Sequence, residues 1–189
     1  ARRYLDGEEI ETYRSLGPRR KAGWLNGRIA AKDAVRRWHW ERGGGPTYPI
    51  EVRIDGGGDR PPEVRFDPAP DLRLSIAHKG PVAAAIVAEG RAVGLDLERI
   101  EPRDEGFDEV AFGPPERDLL PAGGDRDEWR ARFWAAKEAL AKMRGTGLRG
   151  NPRAFPVTGT DGETVTVDGT PVETRRRDEW IVAWTEEDA

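Results

Sequence analysis

The sequence predicts an α+β chain of two similar halves, each opening with helix and continuing with strands. Two patterns and one composition support this. Apolar residues recur at three- and four-residue spacings over residues 19–42, and an amphipathic pattern returns over 128–144. Each stretch is followed by short runs that read as strands, divided by Gly- and Pro-rich turns. Seven tryptophans and 37% apolar residues argue against disorder, and 189 residues suffice for one sizeable domain or two small packed halves.

Residues 7–16 read as a short helix that Gly17-Pro18 interrupts. A longer helix follows over 19–42, with Trp24, Leu25, Ile29, Val35 and Trp38 on its apolar side, and Gly43-Gly44-Gly45-Pro46 ends it. Residues 48–54 alternate as a strand, 55–70 form a loop with a short strand at 63–66, and 72–78 make another strand. Residues 82–88 and 91–98 read as a hairpin across Glu89-Gly90. The second half repeats the order: helix over 109–120, helix over 128–144, then strands at 153–158, 163–167 and 180–185. The division expected is 1–90 and 91–189, together one functional domain. It rests on pattern alone, because the halves show no sequence-level repeat.

The absence of cysteine removes a disulfide scaffold, a thiolate metal site and a cysteine nucleophile. No apolar run approaches the roughly 18–20 residues of a membrane span, and no signal peptide is visible, so a cytoplasmic protein is expected. The sequence opens at Ala1 and goes quickly into a helical pattern, the expectation for an excised domain or a shortened chain. A net charge of −4 argues against general nucleic-acid binding. The cluster Arg19, Arg20, Lys21, Arg28, Lys32, Arg36 and Arg37 suits a phosphorylated ligand or an acidic partner, although most of these residues read as a solvated helix face. Arg175, Arg176 and Arg177 read as a solvated hairpin end.

Three segments carry chemistry. In Val93-Gly94-Leu95-Asp96-Leu97-Glu98, strand alternation puts Asp96 and Glu98 on one face, close enough to converge on one hard cation. Two solvated acids on a half-buried strand are the commoner reading of any single D-x-E. In Phe133-Trp134-Ala135-Ala136-Lys137-Glu138-Ala139-Leu140-Ala141-Lys142, Glu138 and Lys142 lie one helical turn apart. They suit a surface ion pair, or a third metal carboxylate beside a phosphate-binding ammonium. In Leu74-Ser75-Ile76-Ala77-His78-Lys79-Gly80, a histidine at a strand end can donate to a phosphate oxygen, though a lone histidine is more often structural.

In this order and spacing, V-G-[IL]-D-x-E followed roughly 40 residues later by F-W-x-x-K-E-A-x-x-K resembles the signature of the 4′-phosphopantetheinyl transferase superfamily. The upstream His78 segment and the downstream Gly145-Thr146-Gly147-Leu148 strengthen the match. Length and layout resemble the Sfp type, which implies two similar halves packed as a pseudo-dimer within one chain. The resemblance implies transfer of the 4′-phosphopantetheine arm of coenzyme A to a serine of an acyl carrier protein, giving holo-carrier and 3′,5′-ADP. It implies Asp96, Glu98 and Glu138 as Mg²⁺ ligands and Lys142 on the coenzyme A phosphates. His78 matches the histidine at the nucleotide phosphates, Lys32 a basic residue for the 3′-phosphate, and Arg60 a lysine near the adenosine end. Glu116 matches an acid near the metal, so Glu138 or Glu116 is the implied general base. Polyketide or fatty-acid synthesis is the implied setting, with no membrane and no nucleic acid as partner.

Departures exist. Ala77-His78 stands where the family has Ser-His, and Asp59-Arg60-Pro61 where it has Gly-Lys-Pro. A first strand typical of complete Sfp-type proteins is not found, as in transferase domains carried at the end of large synthases. A catalytically weakened docking module is therefore the alternative, alongside another metal-dependent phosphoryl or nucleotidyl transfer and a plain α+β domain. Gly145-Thr146-Gly147-Leu148-Arg149-Gly150 satisfies a dinucleotide-binding pattern, but a helix precedes it and Asn151-Pro152 follows, so a helix cap is the better account.

Overall fold

The computed structural model describes residues 3–57, 60–68, 71–123 and 125–187. It is an α+β protein with two antiparallel-rich sheets, and the described residues form two compact units: one through Val93 together with Glu187, the other Gly94–Glu186.

In the first unit, α1 (Gly7–Ser15) opens with a capping box, in which Glu9 N–H donates to Asp6 Oδ1 at 2.8 Å and Asp6 N–H to Glu9 Oε2 at 3.1 Å. Helix α2 (Pro18–Glu41) starts on Pro18, whose missing N–H costs nothing at a first helical position. It stops where Gly43 takes a φ of 81°, a conformation glycine adopts without strain. Strands β1 (Arg53–Gly57), β2 (Arg60–Arg65), β3 (Leu72–Lys79) and β4 (Val82–Glu89) form a sheet in chain order. Ala31 and Val35 of α2 close a core with Val52, Ile54, Phe66, Leu72 and Leu74.

The second unit takes β5 (Val93–Arg99) from Gly94 onward and continues through α3 (Glu105–Ala111), α4 (Pro114–Asp118) and α5 (Arg126–Met143). Strands β6 (Val157–Asp161), β7 (Thr164–Val167), β8 (Thr170–Arg177) and β9 (Trp180–Glu186) follow, and the sheet order is β5-β9-β8-β7-β6. The β7–β8 turn passes through Asp168 and Gly169 with φ of 48° and 76°, the paired positive angles of a type I′ hairpin. Alanines 131, 135, 136 and 139 let α5 lie close on Val165, Val167, Val172, Ile181 and Ala183.

Several expectations are corrected. The hairpin across Glu89-Gly90 does not form: β4 and β5 belong to different sheets, and the hairpin is β3–β4, turning between Lys79 and Val82. Gly80, at φ 57°, supplies that turn. The strand at 48–54 is a 3₁₀ turn, Pro49–Glu51, leading into β1, since Pro49 favours a turn start over a ladder position. The helix at 109–120 is two, broken at Phe112-Gly113 before Pro114. The strand at 153–158 begins as a 3₁₀ turn, Pro152–Ala154, and β8 was not foreseen. Among the described residues no helix is long and apolar enough to cross a membrane.

Candidate active site

Gly94 sets the geometry of the second unit's site. A Cβ built there would overlap the Ala139 carbonyl oxygen and stand 2.8 Å from Met143 N, so only glycine allows β5 this close to α5. Two residues along β5 comes Asp96, and one helical turn along α5 from Glu138 comes Lys142. The Lys142 ammonium donates to Asp96 Oδ1 at 2.6 Å and to the Leu95 carbonyl at 3.1 Å. That contact joins the strand motif to the helix motif.

Asp96 and Glu98 are 8% and 7% exposed, not the solvated acids expected from alternation, because β5 is buried on both faces. Such carboxylates need compensation. Lys142 provides it for Asp96, and Arg103 for Glu98, donating from Nη2 to Oε2 at 2.7 Å. The Arg103 guanidinium also lies 4.3 Å from the Phe107 ring centroid. Glu138 is half-buried, and its carboxyl is pushed above the ordinary range by burial first and by the negative charge of Asp96 next. Lys142 opposes the shift, and Glu98 adds to it. Three carboxylates thus share one electrostatic neighbourhood.

Among the described residues, no three His, Cys, Asp or Glu side chains stand in a metal-holding arrangement. Asp96 and Glu98 are turned to Lys142 and Arg103 instead. The donor set suits a hard divalent cation in kind: three carboxylates whose mutual repulsion is expressed at Glu138.

Glu116 and Lys32 lie elsewhere, in two matching buried locks. In the second unit Lys137, fully buried, pairs with Glu116 Oε1 at 2.5 Å and donates to the Ala111 carbonyl at 2.8 Å. Glu116 Oε2 accepts Gly113 N–H at 2.7 Å, and Oε1 also accepts Val157 N–H at 2.9 Å. In the first unit Lys32, fully buried, pairs with Glu9 Oε2 at 2.5 Å and donates to the Tyr4 carbonyl at 2.7 Å. Both glutamates are the third residue of a short helix and reach back to its N-cap N–H. Both carbonyls lie two residues before that N-cap. Lys32 is therefore spent on Glu9 rather than presented to a ligand, and both oxygens of Glu116 are engaged in the core. Burial pushes the Lys137 ammonium below its usual range, against the hydrogen bond and charge of Glu116.

His78 is exposed at the end of β3, with its ring against α2 at Gly23 and Gly27. Arg60 is exposed at the start of β2, and Asp59 lies outside the described residues. Ala77 is 3% exposed. Gly145-Thr146-Gly147 caps α5, with Thr146 and Gly147 N–H groups both reaching the Ala141 carbonyl, and is no dinucleotide loop. Sequence reasoning passed over Arg103 and the spatial role of Gly94. The glycine two residues before a D-x-E was the available signal for the second.

A family model described as the 4′-phosphopantetheinyl transferase superfamily matches residues 92–186. The chain is similar to the 4′-phosphopantetheinyl transferase AcpT of Salmonella typhimurium, 27% identical over 130 residues, covering 67% of this chain and 60% of that protein. It is also similar to the L-aminoadipate-semialdehyde dehydrogenase-phosphopantetheinyl transferase of Eremothecium gossypii, 38% identical over 101 residues, or 49% of this chain and 36% of that one. Enterobactin synthase component D of Salmonella austin matches at 38% over 87 residues, covering 46% and 31%. The chain thus spans less than two thirds of the length of each of these relatives.

Proposed function

The chain belongs to the 4′-phosphopantetheinyl transferase superfamily, and we propose on that premise that it transfers the 4′-phosphopantetheine of coenzyme A to a serine of an acyl carrier protein. The observation that carries this reading is the Lys142–Asp96 contact, which unites the two motifs beside Glu138. Asp96, Glu98 and Glu138 would hold Mg²⁺. Bound there, the ion supplies positive charge opposite the pyrophosphate.

The serine Oγ forms a bond to the β-phosphorus while the bond from that phosphorus to the bridging oxygen breaks, releasing 3′,5′-ADP. Glu138 takes the serine proton, directly or through a water. Among the described residues it has no hydrogen-bond partner, whereas Glu116 has none of its oxygens to spare. Lys142 exchanges Asp96 for a phosphate oxygen and stabilises charge on the leaving group. His78 and Arg60 contact the nucleotide end. The division of labour proposed is nucleotide contacts within 1–90 and metal and catalytic groups within 91–189, in the cytoplasm. Retention of all three acids and Lys142 in one neighbourhood speaks against a merely docking module.

The test is the intact mass of an apo carrier protein incubated with the chain, coenzyme A and Mg²⁺. We expect the gain of one phosphopantetheine with the native chain and none with Asp96→Ala. Full modification by a folded Asp96→Ala variant rejects the assignment.

A further inference from the structure

Glycine is among the poorest helix formers, yet α2 carries Gly23 and Gly27 one turn apart in its interior. Their surroundings explain the choice. A Cβ at Gly23 would stand 2.9 Å from His78 Nδ1 and 3.0 Å from Cε1, closer than real side chains approach. At Gly27 it would meet Ile76 Cγ2 at 3.2 Å and His78 Cδ2 at 3.6 Å. The end of β3 therefore lies on bare helix backbone, and the imidazole fills the space that side chains would take. Asn26 Nδ2, from the same turn of α2, donates to the Pro81 carbonyl of the β3–β4 turn at 3.0 Å and pins that hairpin to the helix.

The ring lies over the second and third turns of α2, at Gly23 and Gly27, and Arg19 and Arg20 are exposed in that helix's first turn. An exposed imidazole held in that position can donate to a phosphate oxygen. We propose that Gly23 and Gly27 are positioning residues: they seat His78 against α2 so that its imidazole meets a phosphate of coenzyme A. This rests on the transferase reading above and on the His78 contact within it.

The test is a double-mutant cycle read by calorimetric titration of coenzyme A into the native chain, Gly23→Ala, His78→Ala and the double variant. A charge-assisted hydrogen bond to phosphate is lost when the ring is displaced, so Gly23→Ala is expected to weaken coenzyme A binding about tenfold. It should leave Tm unchanged or higher, because alanine suits a helix better. Gly27→Ala, which meets the ring only at ordinary contact distance, is expected to do less. In the His78→Ala background the effect of Gly23→Ala should vanish. The chain has two histidines, so their NMR signals separate readily, and that of His78 should move in Gly23→Ala while that of His39 stays.

Equal weakening by Gly23→Ala with and without His78 overturns the proposal, as does native affinity with an unmoved His78 signal. Native affinity in His78→Ala overturns it through its premise, while carrier modification in the mass assay separately decides the transferase reading. Should Gly23→Ala fail to fold, Gly27→Ala in the same cycle decides, with coupling to His78 expected and its absence contrary.

Discussion

At Glu138 burial and the charges of Asp96 and Glu98 push one way and Lys142 the other, and the first group prevails. A carboxyl raised in the folded state destabilises the fold as pH rises from the ordinary glutamate range through the raised value, since the unfolded chain ionises more readily. Glu138→Gln should therefore raise Tm at neutral pH in metal-free buffer, with the gain fading below the ordinary glutamate pKa. A lower Tm at pH 7 would contradict this account. Lys142 is 31% exposed at its side chain but its partner Asp96 is buried, so Lys142→Ala should cost about 1–3 kcal/mol while slowing transfer roughly 100-fold or more. Unchanged transfer kinetics would remove Lys142 from the site. Lys32 and Lys137 behave otherwise: each is fully buried on a glutamate, and its removal strands that carboxylate. Lys32→Ala and Lys137→Ala should each cost about 3–5 kcal/mol in denaturant unfolding. A Lys32→Ala variant of native stability that binds coenzyme A poorly would restore the phosphate role that the sequence implies. Asp96, Glu98, Glu138 and Lys142 were legible because their spacing within an element fixes the face they share. The partners of Lys32 and Glu116 were not, because a lysine 23 residues from its glutamate, or a glutamate 21 from its lysine, meets it only through tertiary packing.

The β5–α5 approach is the element on which the site depends, and Gly94 is its narrowest point. Gly94→Ala should destabilise the second unit by at least about 3 kcal/mol, because the obstacle is helix backbone that cannot turn aside. Native-like unfolding of that variant would contradict the close approach. Both long helices and the strands at 72–78, 163–167 and 180–185 followed from periodicity, with ends differing by a residue or two. The hairpin across Glu89-Gly90 failed for a definite reason: a turn signal between two strand-like runs says nothing about whether they pair, and here they enter different sheets. Strand β8 escaped notice because only Val172 and Thr174 face inward, and Arg175, Arg176 and Arg177 mask the alternation.

For the whole molecule, the repeated lysine–glutamate lock is the plainest trace of two halves built on one plan. No sequence repeat displays it, since it consists of one N3 glutamate, one N-cap N–H, one carbonyl and one lysine in each unit. Acid stability has a separate source. Asp108 is 2% exposed; burial raises its carboxyl, but hydrogen bonds from Arg130 and Arg126 and their charges hold it below the ordinary range. A depressed folded value stabilises above the unfolded aspartate pKa, and that contribution disappears as pH falls through the folded one. Asp108→Asn should flatten this part of the acid-unfolding profile and cost about 3 kcal/mol at pH 7; an unaltered profile would contradict the assignment.

The account rests on three carboxylates serving one divalent cation, and Mn²⁺ titration followed by electron paramagnetic resonance, with coenzyme A present, examines that directly. The account predicts one tight Mn²⁺ per native chain, lost in each of Asp96→Asn, Glu98→Gln and Glu138→Gln while all three remain folded. Native Mn²⁺ affinity in Glu138→Gln would contradict it.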